Sequence, residues 1–224
     1  MPGLPRSHAP WRACWARTES EQFMLNEQNI DGRPWRRELI LGGQKSGKSR
    51  RAEMQAKAWL AGGGKGTPRR EAQLIATGQA WDEEMRARIK RHQVDRARRV
   101  PGMGTLEEPR DLAGLLAQNS APHRLLVIDC LTLWLTNWLM PADDLASKST
   151  LAQDWQAQCA LFMEALEQAP GPVILVGNEI GLGVIPLGSE VRAFVDALGQ
   201  LNQQVARRCE SVTLMCAGLA LGLK

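Results

Sequence analysis

One segment of the sequence has the residue types and spacing of a phosphate-binding loop. It fits the pattern G-x-x-x-x-G-K-[ST] and reads Gly42-Gly43-Gln44-Lys45-Ser46-Gly47-Lys48-Ser49. Its glycines allow a tight turn whose backbone N–H groups face a phosphate, and a following helix adds the partial positive charge of its N-terminus. In such a loop Lys48 reaches the terminal phosphates and the Ser49 hydroxyl ligates Mg²⁺. The segment predicts a nucleoside triphosphate site with Lys48 as a catalytic residue, and a chance glycine- and lysine-rich turn is the alternative.

A second segment supports this interpretation. Leu125–Asp129 reads LLVID, an apolar strand that ends in a carboxylate. A carboxylate in that place holds Mg²⁺ or its water opposite the phosphate loop, so Ser49 and Asp129 are the predicted metal ligands. The alternative is a buried strand whose aspartate only caps a helix.

A basic helix is predicted where the chain carries His92. Seven basic residues lie between Arg86 and Arg99, against one acid, Asp95. Four residues at four-residue steps share one face of this helix: Glu84, Arg88, His92 and Arg96. A histidine among arginines near a triphosphate can attack a phosphorus while the cations stabilise the developing charge. The alternative is a solvated helix in which Glu84 and Arg88 pair.

Short apolar runs alternate with amphipathic stretches from residue 38 onward, which is typical of a parallel sheet covered by helices. The predicted strands are Glu38–Leu41, Gln73–Thr77, Leu125–Asp129, Pro172–Asn178 and Ser211–Ala217. The predicted helices are Lys48–Leu60, Trp81–Arg98, Pro109–Gln118, Leu131–Leu139, Thr150–Gln168 and Ser189–Cys209. The fold class is therefore α/β: a P-loop NTPase-like (RecA-like), mostly parallel sheet with helices on both faces.

Two parts of the chain read differently. Residues 1–37 hold four prolines and three tryptophans without a helical or strand period, so we expect a poorly ordered extension before one nucleotide-binding domain, 38–224. Met24 could be an alternative start of the chain. The run Gly62–Gly66 (GGGKG) predicts a flexible connection.

Composition excludes several classes of protein. With 44% hydrophobic and 23% charged residues among 224, the chain is expected to pack as a globular protein. No apolar run approaches the roughly 20 residues needed to cross a bilayer. The five scattered cysteines form no C-x-x-C pair, which disfavours a zinc site and fits a reduced, cytoplasmic location. The net charge of +4 is mild, and the basic residues lack interleaved aromatics, so nucleic-acid binding is not expected.

Together the motifs resemble the bifunctional adenosylcobinamide kinase/adenosylcobinamide-phosphate guanylyltransferase family of cobalamin biosynthesis. The resemblance runs from about Glu38 to Lys224. Its segments are GGQKSGKS, ATGQAWDEEMRARIKRH, the T-x-E of Thr105–Glu107, VIDCLTLWLTNWL, NEIGLGVIP and the final AGLALGLK. Each segment is weak alone, whereas their order and spacing are specific.

The resemblance implies two reactions. A terminal phosphate of ATP or GTP passes to the aminopropanol hydroxyl of adenosylcobinamide. GMP from GTP is then transferred to that phosphate through a guanylyl-histidine, which falls here on His92. The implied partners are adenosylcobinamide and its phosphate. The resemblance also implies a homo-oligomer, with a trimer as the leading expectation.

The resemblance also implies nucleotide contacts wherever positions match. Beyond Gly42 to Ser49, these are Ala76, Thr77, Gly78, Gln93, Val94, Asp95, Arg96, Glu107 and Asp129. Glu107 could accept the N1–H and N2–H groups of guanine. Two positions depart from the family pattern: Met103 replaces a tryptophan, and Val195 replaces an arginine after Phe194. The loop Asn178–Pro186 could border the corrinoid.

Other functions are also compatible with the sequence. A P-loop kinase without the guanylyl step, and a nucleotide-binding regulatory module without chemistry, are the two alternatives. Trp134 and Trp138, four residues apart on a helix, are expected in the core or at a subunit interface.

Overall fold

The computed structural model describes residues 36–62, 68–80, 82–140 and 148–224; the side chains of 88 and 148–152 lie outside this description. Of the extension predicted for residues 1–37, residues 1–35 lie outside the described residues. Arg37 already belongs to the first strand, so the predicted domain boundary at residue 38 lies one residue inside that strand. Of the predicted flexible connection, only Gly62 is described.

Seven strands form one sheet in the described part of the chain. They are β1 (Arg37–Gly42), β2 (Glu71–Ala76), β3 (Gly104–Glu107), β4 (Arg124–Asp129), β5 (Val173–Val176), β6 (Ser211–Cys216) and β7 (Leu219–Gly222). Their order is β3-β2-β4-β5-β1-β6-β7. The first six are parallel, and β7 pairs antiparallel with β6. The carboxyl ends of the six parallel strands therefore meet at one edge, where an open α/β sheet binds its ligands.

In the ranges that the structure describes, six helices accompany these strands. They are α1 (Lys48–Ala61), α2 (Glu83–Arg99), α3 (Leu112–Asn119), α4 (Leu131–Leu139), α5 (Lys148–Gln168) and α6 (Ser189–Arg208). The predicted α4 has the observed bounds, and the other predicted ends differ by up to three residues. Caps explain two of these differences. The Asp82 carboxylate accepts from the Met85 N–H at 2.6 Å, and Asp111 accepts from the Gly114 N–H at 2.8 Å, which starts each helix just after its aspartate.

Two strands were not predicted. The short β3 (GTLE) has no apolar run and is largely exposed, so only its pairing with β2 makes it a strand. All four residues of β7 (LALG) are exposed, and β7 follows a turn in which Ala217 and Gly218 both have positive φ. Neither strand buries enough surface to leave an alternating pattern in the sequence.

Helices cover both faces of the sheet, which confirms the predicted fold class. On one face α3, α4, α5 and α6 pack on inward side chains such as Leu39, Ile128 and Leu175. On the other face, α1 packs on the alternate side chains of the same strands. Trp134 is fully buried in the first core, 4.8 Å between ring centroids from both Trp155 and Phe162, so it is a core residue.

Candidate active site

The phosphate loop lies between β1 and α1, as its motif requires. Gly47 has φ +103° and Lys45 has φ +57°, left-handed conformations that bend the backbone into a cradle. Gly42 has φ +151°, and a Cβ there would lie 2.4 Å from the carbonyl oxygen of Met215. Only glycine therefore fits at the start of the loop. Gly43, Gln44 and Lys45 are exposed and accessible to a ligand.

Hydrogen bonds hold this loop from two sides. Within it, the Lys48 ammonium donates to the Gly43 carbonyl at 2.6 Å. From outside, the Glu179 N–H donates to the Gly42 carbonyl at 3.2 Å, and the Gly218 N–H donates to the Ser46 carbonyl at 3.1 Å. Burial lowers the pKa of Lys48, and the charge of Asp129 partly opposes that effect. A phosphate in the cradle would offer this ammonium a stronger, charged acceptor.

Strand register brings the predicted site residues into one row. Glu107 on β3 pairs with Ala76 on β2, which pairs with Asp129 on β4. Asp129 pairs with Val176 on β5, and Val176 pairs with Ile40 on β1, two residues before the loop. Four strands, β3, β2, β4 and β5, thus end at one level of the sheet, two residues before the end of β1.

Asp129 is the carboxylate at the centre of that row. Burial raises its pKa, while a hydrogen bond from Ser49 and the charges of His92, Arg96 and Lys48 act in the opposite direction. Asp129 therefore interacts with a group from the phosphate loop and with groups from α2. Among the described residues there is no cluster of three or more His, Cys, Asp or Glu side chains that could hold a metal unaided.

Buried hydrogen bonds fix the backbone on either side of Asp129. The hydroxyl of Thr77, which is fully buried, donates to the Cys130 carbonyl at 2.7 Å and accepts from the Cys130 N–H at 2.9 Å. The peptide bond between Asp129 and Cys130 is cis. The Asn137 side chain donates to the carbonyls of Thr77 and Pro109 at 2.8 and 2.9 Å. Asn137 lies within the apolar run that predicted α4, and only its polarity at a buried position could have identified it.

A cavity of about 360 Å³ lies between α2 and β3. It is lined by Gln93, Arg96, Ala97, Met103, Thr105 and Glu107. Arg96 is buried and donates to the Thr105 hydroxyl at 3.1 Å, while the Gln93 amide lies 3.4 Å from a Glu107 carboxylate oxygen. The structure therefore brings together three of the predicted nucleotide contacts, Gln93, Arg96 and Glu107. Met103, at one of the departures from the family pattern, also lines this cavity.

The other predicted positions on α2 have different surroundings. His92 is exposed, and Val94 is exposed on a side that lines no described cavity. Asp95 lines a separate groove between α1 and α2. Glu84 is exposed, and the ion pair in the first turn joins Glu83 to Arg86. The predicted partner of Glu84, Arg88, has its side chain outside the described residues.

Glu53 on α1 joins this helix to α2. Its side chain is 6% exposed and lies 2.8 Å from the guanidinium of Arg99. Burial raises the pKa of Glu53, and the charges of Arg99 and Arg96 partly oppose that effect. No motif in the sequence identifies Glu53, which is one glutamate within a predicted amphipathic helix.

The loop from Asn178 to Pro186 begins beside the phosphate loop. Asn202 on α6 donates to the Asn178 carbonyl at 3.0 Å, and the Glu179 N–H bonds to Gly42 as described above. Farther along, the apolar side chains are exposed, including Leu182, Val184 and Ile185. The loop is thus anchored at its start beside the phosphate loop, and its apolar side chains farther along are exposed to solvent.

These features define the class of protein: a P-loop nucleotide-binding α/β domain with a basic helix carrying one histidine beside the site. Residues 38–223 match the family described as cobinamide kinase / cobinamide phosphate guanyltransferase, and the chain belongs to that family.

The chain aligns with three relatives over almost the whole length of each relative. The chain is 46% identical over 189 residues to the "Bifunctional adenosylcobalamin biosynthesis protein CobP" of Pseudomonas aeruginosa, which is 84% of this chain and 97% of that protein. It is 31% identical over 191 residues to the "Bifunctional adenosylcobalamin biosynthesis protein CobU" of Escherichia coli, covering 83% and 98% of the two chains. The CobU protein of Salmonella typhimurium is likewise 31% identical, over 194 residues. No helix in the described part of the chain is long and apolar enough to span a membrane.

Proposed function

We propose that this chain phosphorylates adenosylcobinamide and then transfers GMP from GTP to the product, through a guanylyl intermediate on His92. Family membership supports the pair of activities. The observation that carries the mechanism is the place of Asp129 at the end of β4, level with the strand that leads into the phosphate loop, where a Ser49 hydrogen bond and the charges of Lys48 and His92 act on the pKa of its carboxyl.

For the kinase step, the phosphate loop supplies binding and charge. The N–H groups from Gly43 to Ser49 and the start of α1 face the β- and γ-phosphates. Lys48 leaves the Gly43 carbonyl and binds the transferring phosphate, whose charge it stabilises. The oxygen of the acceptor hydroxyl forms a bond to the γ-phosphorus as the bond to the leaving oxygen of the nucleoside diphosphate breaks, and the hydroxyl proton passes to water.

The residues around Asp129 fit Mg²⁺. A serine hydroxyl already bonded to a carboxylate is a hard oxygen pair of the kind this ion prefers, and Mg²⁺ commonly takes its remaining ligands from phosphates and water. Ser49 and Asp129 would hold the ion. When bound, it neutralises charge on the phosphates.

For the guanylyl step, a ring nitrogen of His92 attacks the α-phosphorus of GTP. A phosphorus–nitrogen bond forms, and the electron pair of the broken bond leaves with pyrophosphate. A phosphate oxygen of adenosylcobinamide phosphate then attacks the same phosphorus, and the ring nitrogen recovers its electron pair. Covalent catalysis replaces one displacement between two anions with two easier displacements.

The cavity between α2 and β3 has the surroundings expected of a guanine site. Its volume of about 360 Å³ and its position next to the His92 helix suit a base whose phosphates reach that histidine. The Glu107 carboxylate offers two acceptors for the N1–H and N2–H groups, which adenine lacks as a pair. Arg96 and Thr105 are already bonded to each other at one wall.

Glu107→Gln tests this assignment. The amide replaces one acceptor with a donor, so the preference for GTP over ATP in protein labelling should fall by about tenfold or more. The kinase rate with ATP serves as the control, because that reaction does not require guanine recognition. Unchanged nucleotide selectivity would exclude Glu107 from the base site.

Mass analysis after incubation with GTP and Mg²⁺ tests the proposed function. Wild-type protein should gain the mass of one GMP, and His92→Ala should gain none while still phosphorylating adenosylcobinamide with ATP. His123→Ala is the matched control, because His123 lies just before β4, at the amino ends of the parallel strands and away from the site. This variant should be labelled like the wild type. Absence of label on the wild type would leave a P-loop kinase as the function.

Several predictions from the sequence accompany this proposal. The acceptor corrinoid is expected along the exposed apolar loop after Asn178, which is anchored next to Gly42. A cytoplasmic location also stays a prediction, and so does a homo-oligomer, for which a trimer is the leading expectation. Size measurement in solution tests the assembly.

A further inference from the structure

We propose that Glu53 is a positioning residue for the guanylyl step: by pairing with Arg99, it sets the rotation of α2 and hence the direction of His92. This inference rests on the proposed function. Glu53 itself would contact neither substrate nor the reacting atoms.

The first argument is helix geometry. His92, Arg96 and Arg99 lie at positions i, i+4 and i+7 of α2, so they share one face of the helix. Whatever holds the two arginines in place therefore also sets the direction of the histidine. Apart from Arg96, the described side chains of α2 are exposed or half-buried, so apolar packing alone determines its rotation only weakly.

The second argument is that Glu53 is a buried anion paired with this face of α2. Glu53 is buried, and one carboxylate oxygen lies 2.8 Å from an Arg99 guanidinium nitrogen. Arg99 also donates through Nε to the Asp95 carbonyl at 3.2 Å, which orients its guanidinium. A buried carboxylate without a cation is strongly unfavourable, so α2 cannot rotate away without exposing or unpairing Glu53.

The third argument is the location of Glu53 within α1. It lies one turn after Ser49, on the helix that begins at the phosphate loop. Arg96, which also interacts with Glu53, lines the proposed base cavity and influences Asp129. The carboxylate thus connects the element that binds phosphates to the element that carries the nucleophile. A misplacement of about 1 Å at a reacting group is enough to cost on the order of a hundredfold in rate.

The test separates the two reactions in the full-length protein. Glu53→Gln keeps the size of the side chain and removes its charge. The rate of His92 labelling with GTP and Mg²⁺ should fall about ten- to hundredfold, while the rate of adenosylcobinamide phosphorylation with ATP should change far less. Glu53→Asp, which keeps the charge on a shorter side chain, should retain an intermediate labelling rate. This variant decides the question if Glu53→Gln does not fold.

Glu71→Gln is the matched control. Glu71 also pairs with an arginine, Arg124, at 2.7 Å, but it lies at the start of β2, away from the site, and is more exposed. Both reaction rates should stay within about twofold of wild type, because exposed ion pairs contribute little. The double variant Glu53→Gln/Arg99→Gln should recover part of the labelling rate, since it also removes the cation that Glu53→Gln leaves without its ion-pair partner.

The outcomes distinguish this inference from the proposed function. Equal losses of labelling and phosphorylation in Glu53→Gln would show a general structural role and overturn the inference. So would an unchanged labelling rate. If the wild type itself acquires no GMP, the proposed function fails before Glu53 is considered.

Discussion

Thr77 provides the sharpest test of how the site is held together. Its hydroxyl both donates to and accepts from the backbone of Cys130, and it is fully buried. Thr77→Val keeps the shape of the side chain and removes both hydrogen bonds. The change leaves the N–H and the carbonyl of Cys130, the residue after Asp129, without the Thr77 hydroxyl as their partner.

The expected cost follows from those two bonds. Each contributes about 0.5–1.5 kcal/mol, and leaving buried backbone groups unsatisfied adds about 1–3 kcal/mol, partly offset by the added methyl group. The free energy of unfolding should fall by about 2–4 kcal/mol. For a domain of this size that corresponds to a fall in Tm of roughly 4–16 °C.

Urea and thermal unfolding measure the effect, with Thr136→Val as the control. The Thr136 hydroxyl donates to the Thr132 carbonyl at 2.9 Å within α4, and Thr136 is half-buried, so water can replace the lost bond. That variant should lose less than about 1 kcal/mol. The unfolding free energy is the proper readout, because Thr77 is also a predicted nucleotide contact. If the two variants unfold within about 0.5 kcal/mol of each other, Thr77 does not bridge β2 and β4 as we reason.

Two further predictions concern the loop and the thiols. Gly42→Ala should weaken nucleotide binding by about tenfold or more, because its methyl group would lie 2.4 Å from the Met215 carbonyl oxygen and 2.6 Å from the Ser46 hydroxyl. Gly199→Ala in α6 has no heavy atom within 4 Å of its methyl group, so calorimetric titration should find wild-type affinity there, and equal affinities for both variants would contradict the reasoning. In native protein at pH 8, iodoacetamide should modify exposed Cys216 far faster than the three buried thiols, as peptide mass mapping would show. Burial raises the pKa of these thiols to about 11, 11 and 12, for Cys130, Cys159 and Cys209 respectively. A raised pKa lowers the fraction of reactive thiolate to about one in a thousand or less at pH 8, and rapid native labelling of any of the three would refute this.

Local chemistry in the sequence was enough to predict the phosphate loop and the strand that ends in Asp129. Glycines, a lysine and a serine at this spacing, between a strand and a helix, are typical of a phosphate-binding loop. A strand buried on both faces is a continuous apolar run, which is recognisable in a sequence. The order of elements followed from the same patterns. A histidine among arginines indicated His92, and the family resemblance gave that residue its specific role and added Glu107, whose residue type alone is common on exposed surfaces.

Only the tertiary structure decided which of these residues meet. Strand order and register bring Glu107, Ala76 and Asp129 to one level of the sheet, and no local pattern encodes the pairing of distant strands. The edge strands β3 and β7 were missed for the same reason, since their neighbours and not their own side chains make them strands. Glu53 and Asn137 gain their roles from burial. A polar side chain inside a helix looks ordinary in a sequence, and it becomes structurally decisive only where packing removes water and leaves a particular backbone group or cation as its partner.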